Sequence, residues 1–339
     1  VGWRLDPEVD AAAAAKTIVP IVGSALGNAP RDARLLVQGN AVVIAPSSDG
    51  SGPDIARFVS DAAPILKNAA GTHTVVLHAK TRPAQLTTAE ARAMGVHDKI
   101  STFTTTFSGG AVGRANNIRV LAAALDGKLV APGATFSVNG AVGERTAAKG
   151  YQAANAIVQG KLVPQVGGGI CQVCTTLFNA VFMSGLPILE RQPHSFYISH
   201  YPTGRDATVS WGGPDLRWKN TTSHWVLVSV STTDASSTAG AVTISLWGTN
   251  PGYNVAFTTG PFTNIKPFPT VNVPDPTIPA GSKAVLDPGA PGGRVVVVRT
   301  VKKQGTLVRQ DTFVSDYTPK EATVRVGTKT PVVAVTKKP

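Results

Sequence analysis

The chain has 339 residues, 42% of them hydrophobic and 15% charged, which is enough apolar material for two or three domains with cores of their own and excludes a largely disordered polypeptide. Two cysteines are too few for a disulfide-stapled scaffold, and no apolar run is long enough for a bilayer-spanning helix. The formal net charge of +12 points to an anionic partner or serves solubility; nucleic acid is one candidate, but no aromatic–basic interleaving or reader-helix pattern supports it, and an anionic cell envelope with its wall polymers fits at least as well.

Residues 1–98 balance nine basic against nine acidic side chains and read as a small α+β unit. The alanine run 11–15 with Ile18, Val19 and Ile21 suits a helix. Residues 34–37 and 41–44 form a hairpin about Gly39-Asn40. A second helix is expected from Pro53 to Leu66, where Ile55, Phe58, Val59 and Ala62 recur at helical spacing. Residues 74–79 read as a strand flanked by His73 and His78, both surface or structural. Thr87 and Glu90 are placed to cap a short helix. The absence of a starting Met and of a charged-then-apolar leader suggests a processed chain, with room for a membrane anchor upstream of Val1.

Residues 99–250 carry eleven basic and six acidic side chains. Residues 101–107 alternate polar and aromatic positions as a strand does. Asn116 and Asn117 are expected to cap a helix whose apolar face is Ile118, Leu121, Ala122 and Leu125, ending at Gly127. Residues 135–138 read as a strand. The stretch Gly167-Gly168-Gly169-Ile170-Cys171 then runs into a segment, ending at Ser184, that is apolar on nearly every side, the mark of a buried helix. Residues 209–211, 225–230 and 242–247 read as antiparallel strands around one core. Residues 251–339, with twelve basic and five acidic side chains, are rich in Pro, Gly, Thr and Val. Residues 261–279 are too proline-dense for a helix or a central sheet and read as a linker. Strands follow at 294–301, 307–314 and 323–326. The expected class is α+β and multi-domain: a small α+β domain over 1–98, a central mixed α+β domain over 99–250 with a buried helix after a Gly-rich turn, and a linker with a small elongated β module over 251–339.

The chemistry concentrates at the glycine–cysteine junction. A thiol at a helix N-terminus feels the positive end of the helix dipole, which favours its thiolate. The glycines permit unusual backbone angles and free amides to meet an anion. Cys171 is thus a candidate nucleophile, and the amides of Gly168, Gly169 and Cys171 a candidate oxyanion hole. His194 is the candidate base or ion-pair partner, and Asp206 either orients it or anchors its own turn. Arg191 and Arg205 are candidates to grip a carboxylate, or to pair with Glu190 or Asp206. Ser195, Gln172 and Tyr151 are candidate substrate contacts, with Trp211 as a further pocket wall. A buried structural cysteine beside a sharp turn explains the same local residues. The Cys171–Cys174 spacing opens a thiol–disulfide oxidoreductase reading, but without the βαβ context that chemistry uses. Zinc held by the two cysteines with His194 and His200 is a minor option.

Several stretches carry a family resemblance: Ser101-Thr102-Phe103-Thr104-Thr105, Asn116-Asn117-Ile118-Arg119, Pro132-Gly133-Ala134-Thr135-Phe136-Ser137, Val142-Gly143-Glu144-Arg145-Thr146, Gly150-Tyr151, Gly167 through Asn179, Pro193-His194-Ser195 and Gly204 through Val209. Together they resemble the VanW-like family of bacterial envelope proteins over residues 99–250. The N-terminal unit resembles the peptidoglycan-binding type of domain that often precedes it. The tail, ending Val324-Arg325-Val326-Gly327-Thr328-Lys329, resembles the glycine-named β module of wall-associated proteins. The family is named for its association with glycopeptide-resistance clusters. Some members look like L,D-transpeptidases that join peptidoglycan stem peptides through a cysteine acyl-enzyme. That resemblance implies Cys171 as nucleophile, stem peptides as partners, no metal or organic cofactor, and an extracytoplasmic location. The family usually has Ser at position 174, which makes Cys174 replaceable. A second His often found in the family is Gln192 here. A wall-binding protein without catalysis is the rival reading.

Overall fold

A computed structural model describes residues 8–67, 73–108, 110–158, 161–233 and 239–329. It divides into two units, Val1–Gly95 and Val96–Pro339. In the first unit, α1 (Ala11–Leu26) starts where the Asp10 carboxylate accepts the Ala13 amide. Strands β1 (Arg34–Gln38) and β2 (Ala41–Ala45) pair antiparallel across a turn in which Gly39 takes φ +60°. Next come β3 (Gly50–Pro53) and α2 (Ile55–Leu66), the latter capped by Asp54 on the Arg57 amide. Strand β4 (Ala79–Arg82) pairs antiparallel with β3, and a reciprocal Thr87–Glu90 capping box opens α3 (Thr88–Ala93). Two expectations shift here. Pro53 closes β3 rather than opening α2. The strand expected at 74–79 lies instead at Ala79–Arg82, because only there does it meet a partner; β-propensity without a ladder makes no strand.

The second unit begins with β5 (Asp98–Ser108), α4 (Val112–Leu125), β6 (Lys128–Val130), β7 (Thr135–Ser137) and α5 (Val138–Val142). The hairpin β8 (Ala153–Val158) and β9 (Lys161–Val166) follows, then α6 (Cys171–Ser184). After it come β10 (Ile188–Glu190), β11 (Arg217–Lys219), β12 (Val226–Thr233) and β13 (Ala239–Gly248). An antiparallel sheet in the order β5-β13-β12-β6 backs α6, and a smaller sheet orders β10-β11-β7. Helix α6 buries nearly every side chain, so its polar residues must find partners inside. Thr176 meets the Thr105 hydroxyl at 2.6 Å, and Asn179 donates to the Thr175 and Arg205 carbonyls at 2.8 Å. Residues 209–211 form no strand; a turn there carries Val209 past Cys171. Asn116 and Asn117 sit inside α4 rather than capping it, because the helix starts at Val112.

The chain ends in strands β14 (Tyr253–Thr259), β15 (Thr263–Lys266), β16 (Thr270–Pro279), β17 (Lys283–Asp287), β18 (Gly292–Lys303), β19 (Thr306–Tyr317) and β20 (Ala322–Lys329). The stretch expected as a linker is therefore mostly strand. Proline-rich β16 is compatible with pairing because it lies at the edge of the sheet β16-β20-β17, parallel to β20. Strands β18 and β19 share a core with the central elements: Val295, Val297 and Tyr317 join the cluster that holds Phe178 and Val181 of α6. Fully buried Arg299 pairs with Asp311 at 2.6 Å and donates to the Phe182 and Leu186 carbonyls at 2.9 and 3.1 Å, binding the C-terminal end of α6 to β18. The fold is a mixed α and β, multi-domain architecture in which the last strands pack on the helix that carries the cysteines.

Candidate active site

Each glycine before Cys171 answers a separate demand. Gly167 and Gly169 take φ of +87° and +96°, the left-handed region that a side chain disfavours. At Gly168 a Cβ would lie 2.2 Å from the Ala154 carbonyl oxygen, so β8 can approach only a residue without one. Buried Asn117 latches this turn: its Nδ2 donates to the Gly168 and Gln152 carbonyls at 2.9 and 2.8 Å, and its Oδ1 accepts the Gln152 amide at 2.7 Å. The turn delivers Cys171 as the first residue of α6. Ile170 supplies no side-chain cap. Among the described residues the Gly169 and Cys171 amides donate no hydrogen bond, and both residues line the cleft described below. The Gly168 amide, expected to share the oxyanion role, instead donates to the Gln165 carbonyl at 3.1 Å.

Opposite the sulfur stands His194. Its Nδ1 lies 2.7 Å from Asp206 Oδ2, and its own amide donates to the same oxygen at 2.7 Å. That arrangement leaves Nε2 for the Cys171 thiol. Asp206, 3% exposed, uses its other oxygen to accept Tyr317 Oη at 2.7 Å and Arg191 Nη2 at 3.1 Å. Burial pulls the imidazole down, but hydrogen bonds to Asp206 and Cys171 outweigh it and raise His194 to about 9. Burial likewise pushes the Cys171 thiol up. The hydrogen bond and charge of His194, with contributions from Val209 and Arg145, overcome that and hold it below its ordinary value. Asp206 is pushed up by burial and brought below its ordinary value by His194 and Arg191. The two shifts run in the direction that favours a thiolate–imidazolium pair, with the buried Asp206 carboxylate against the imidazole.

The pair opens on a cleft of about 1030 Å³. Its walls are the glycine turn, the segment 192–201, Trp211 and, from the C-terminal strands, residues 288–291 and Lys320. Ser195 and Trp211 lie on these walls. Arg191 does not: its Nε donates to the Asp206 carbonyl at 2.6 Å and its Nη2 reaches Ser315 Oγ at 3.0 Å, so it braces Asp206. Arg205 also lies outside the cleft, with its guanidinium 4.4 Å from the centre of the Phe257 ring and 5.3 Å from that of Phe182. Gln172 is buried beneath the cleft, donating to Thr105 Oγ1 at 2.7 Å and accepting Arg114 Nη2 at 2.8 Å. Tyr151 is buried off the cleft wall.

Cys174 is sealed one turn along α6, with 0% exposure, and takes no part in the cleft. Burial, then the charge at Cys171, drives its thiol well above the ordinary value, and both cysteines are free. This denies the oxidoreductase reading its second accessible sulfur. Among the described residues, no group of three or more His, Cys, Asp or Glu side chains is arranged to hold a metal ion. Sequence reasoning missed Tyr317, whose role has no local signal, and Arg145 and Arg114 on the cleft wall. Arg145 stood inside a family-like stretch without any hint of its burial.

Residues 113–247 match the family described as VanW like protein, and residues 262–329 match the G5 domain. Among curated proteins, the uncharacterized protein YoaR of Bacillus subtilis (strain 168) is 43% identical over 152 residues, covering 45% of this chain and 48% of its own. The vancomycin B-type resistance protein VanW of Enterococcus faecalis (strain ATCC 700802 / V583) is 33% identical over 113 residues, covering 31% of this chain and 40% of its own. The chain thus spans less than half the length of these curated relatives. Among solved structures, the IgA1 protease G5 domain is 20% identical and covers 24% of this chain and 99% of its own, at a TM-score of 0.15. HP0197-G5 is 16% identical and covers 22% and 97%, at 0.13. Scores this low carry no weight, and the assignment rests on the family matches and the sequence relatives. The chain carries a VanW-like domain over residues 113–247, followed by a G5 domain over residues 262–329.

Proposed function

We propose that this chain is a cell-wall-associated cysteine acyltransferase that joins peptidoglycan stem peptides in the manner of an L,D-transpeptidase. The observation that carries the reading is the alignment of Cys171, His194 and Asp206 at the edge of a large cleft, with two unspent amides at the start of α6. The Cys171 thiolate attacks the carbonyl carbon of the third-position residue. The oxyanion is met by the Gly169 and Cys171 amides. The C–N bond to the terminal D-alanine breaks, and its amine leaves with the proton of His194. A thioester remains on Cys171 beside a neutral imidazole. The side-chain amine of a second stem then attacks the thioester and gives its proton to His194. The C–S bond breaks, leaving an amide cross-link and the original ion pair. Water in place of the amine gives hydrolysis by the same steps.

The G5 domain and the basic surface of the last two segments suit attachment to an anionic wall, and therefore an extracytoplasmic location. Among the described residues, no helix is long and apolar enough to cross a membrane. Incubation with purified muropeptides followed by intact-protein mass spectrometry tests the enzyme. An acyl adduct on Cys171, with cross-linked product, is expected from the native chain, and neither from a folded Cys171→Ala variant. Wall binding with no adduct and no product returns the chain to a non-catalytic, wall-binding role.

A further inference from the structure

Among the described residues, Arg145 has no counter-ion within ion-pair distance. It is 8% exposed and lies against the glycine turn, with its Cβ 3.3 Å from where a Gly167 side chain would begin. Its Nη1 is held by the Asn139 Oδ1 at 2.6 Å and the Gly143 carbonyl at 2.8 Å. Its Nη2 is buried with no hydrogen-bond partner, and no acidic side chain pairs with it among the described residues. A guanidinium desolvated in this way costs free energy unless an anion completes it. The Tyr151 hydroxyl, which feels the Arg145 charge, is a second buried donor without an acceptor.

Arg145 forms part of the cleft wall. On the same wall, Arg114 joins Arg145 against Glu144, and Lys320 is paired with Asp287, which leaves the cleft net positive. Arg145 and Cys171 line the same cleft, and the charge of Arg145 reaches the sulfur. Arg191 and Arg205, the arginines nearest the catalytic residues in sequence, are turned away from the cleft.

We infer that Arg145 binds the free C-terminal carboxylate of the acyl donor, making the enzyme specific for the last peptide bond of its substrate. The inference rests on the acyl-transfer reading above and narrows it. In a donor whose terminal residue leaves, the nearest full negative charge to the attacked carbonyl is the α-carboxylate of that residue. A planar guanidinium fixed through Nη1 and left without a protein partner at Nη2 matches it. The enzyme would then trim or transfer from the chain end only. A donor extended by one residue would misplace its carboxylate, and a capped donor would lack it.

The test compares two tetrapeptide donors, one ending in a free D-alanine carboxylate and the other in its carboxamide, on the unsubstituted chain. Formation of the Cys171 thioester is followed by rapid-quench mass spectrometry. Loss of one charge-assisted hydrogen bond should slow acylation by the carboxamide roughly 10- to 100-fold, mainly through KM. Arg145→Gln should bring the carboxylate donor down to the carboxamide rate, and Arg145→Lys should recover part of the difference. The comparison of donors needs no variant, so a misfolded Arg145→Gln chain does not remove the test. Equal acylation by both donors overturns the role of Arg145 while leaving the acyltransferase standing. No thioester with either donor overturns both.

Discussion

Replacing Asp206 with Asn changes one atom type at the centre of the site and removes one charge. The carboxylate accepts four hydrogen bonds: two from His194 on one oxygen, and one each from Arg191 and Tyr317 on the other. An Asn offers a single acceptor oxygen, so in either orientation its amide group faces donors, and Arg191 loses its buried counter-ion. Removing one partner of a buried pair costs about 3–5 kcal/mol. In a unit of this size that lowers the melting temperature by about 6–20 °C. The catalytic consequence is separate. Without the carboxylate, His194 loses the largest influence that raises it, while burial still pulls it down. The Cys171 thiol then keeps its desolvation and loses its cation. Loss of a neighbouring opposite charge moves a titration by roughly 1–3 pH units, so alkylation at pH 7 should slow about 10- to 1000-fold. The assay is the rate of iodoacetamide addition to Cys171 against pH, with melting measured in parallel. The native chain should react from below the ordinary thiol range, with a second step near pH 9 as His194 loses its proton. The stability signs follow the same groups. The contribution of His194, whose folded value is raised, is full below its ordinary value and lost as pH climbs through about 9. That of Asp206, whose folded value is depressed, is full above the ordinary carboxylate range and lost as pH falls through its folded value. The variant should lose the acid-side dependence and react only at or above the ordinary thiol range. A lowered melting temperature with an unchanged alkylation profile would refute the electrostatic role of Asp206 and leave it a structural clamp.

Three further outcomes are expected. Cys174→Ser should keep acyl-adduct formation within about threefold and lower stability by no more than about 2 kcal/mol, since a helix-interior hydroxyl can bond back to the preceding turn; loss of turnover would revive a two-thiol mechanism. Gly168→Ala should cost at least about 1–3 kcal/mol and slow Cys171 alkylation, because the new methyl meets the Ala154 carbonyl and neither backbone can yield without moving the nucleophile; a melting curve matching the native chain would contradict that packing. Tyr317→Phe removes one donor to the Asp206 carboxylate, and should cost about 1.5–3 kcal/mol and shift the alkylation profile less than Asp206→Asn does; an unchanged profile would show that the G5 strands do not influence the thiol.

How much was legible in the sequence depends on the reach of each interaction. Thr87 and Glu90 act within three residues, so the helix they cap was readable, and the alanine run announced α1. The uninterrupted apolar run of α6 announced its burial, and the glycines before it announced a turn with Cys171 at its end. Other residues carry signals whose meaning is settled far away. Asn117 looked like a helix cap because asparagine favours caps. Its side chain instead bonds Gln152 and Gly168, 35 and 51 residues on. Proline density at 261–279 argued against a central sheet and left the stretch as a linker, whereas β16 pairs as an edge strand, which needs donors on one side only. Arginine was the hardest type to read. A guanidinium pairs equally well with a ligand carboxylate or one in the protein; Arg191 pairs with Asp206, and its Nη2 also reaches Ser315, 124 residues away.

That distance bears on what the reactive unit is. The family match ends at residue 247, but the carboxylate that orients His194 is held by Tyr317 and, through Arg191, by Ser315. Both belong to β19, which packs on α6 through the shared core. A segment cut at residue 247 would leave Asp206 Oδ1 with Arg191 alone and expose the Phe178 face of α6 that β18 and β19 cover. The G5 strands are therefore part of the electrostatic frame of the thiol. Any attachment to the wall that strains β19 acts on the same hydrogen bonds that set the charge of His194.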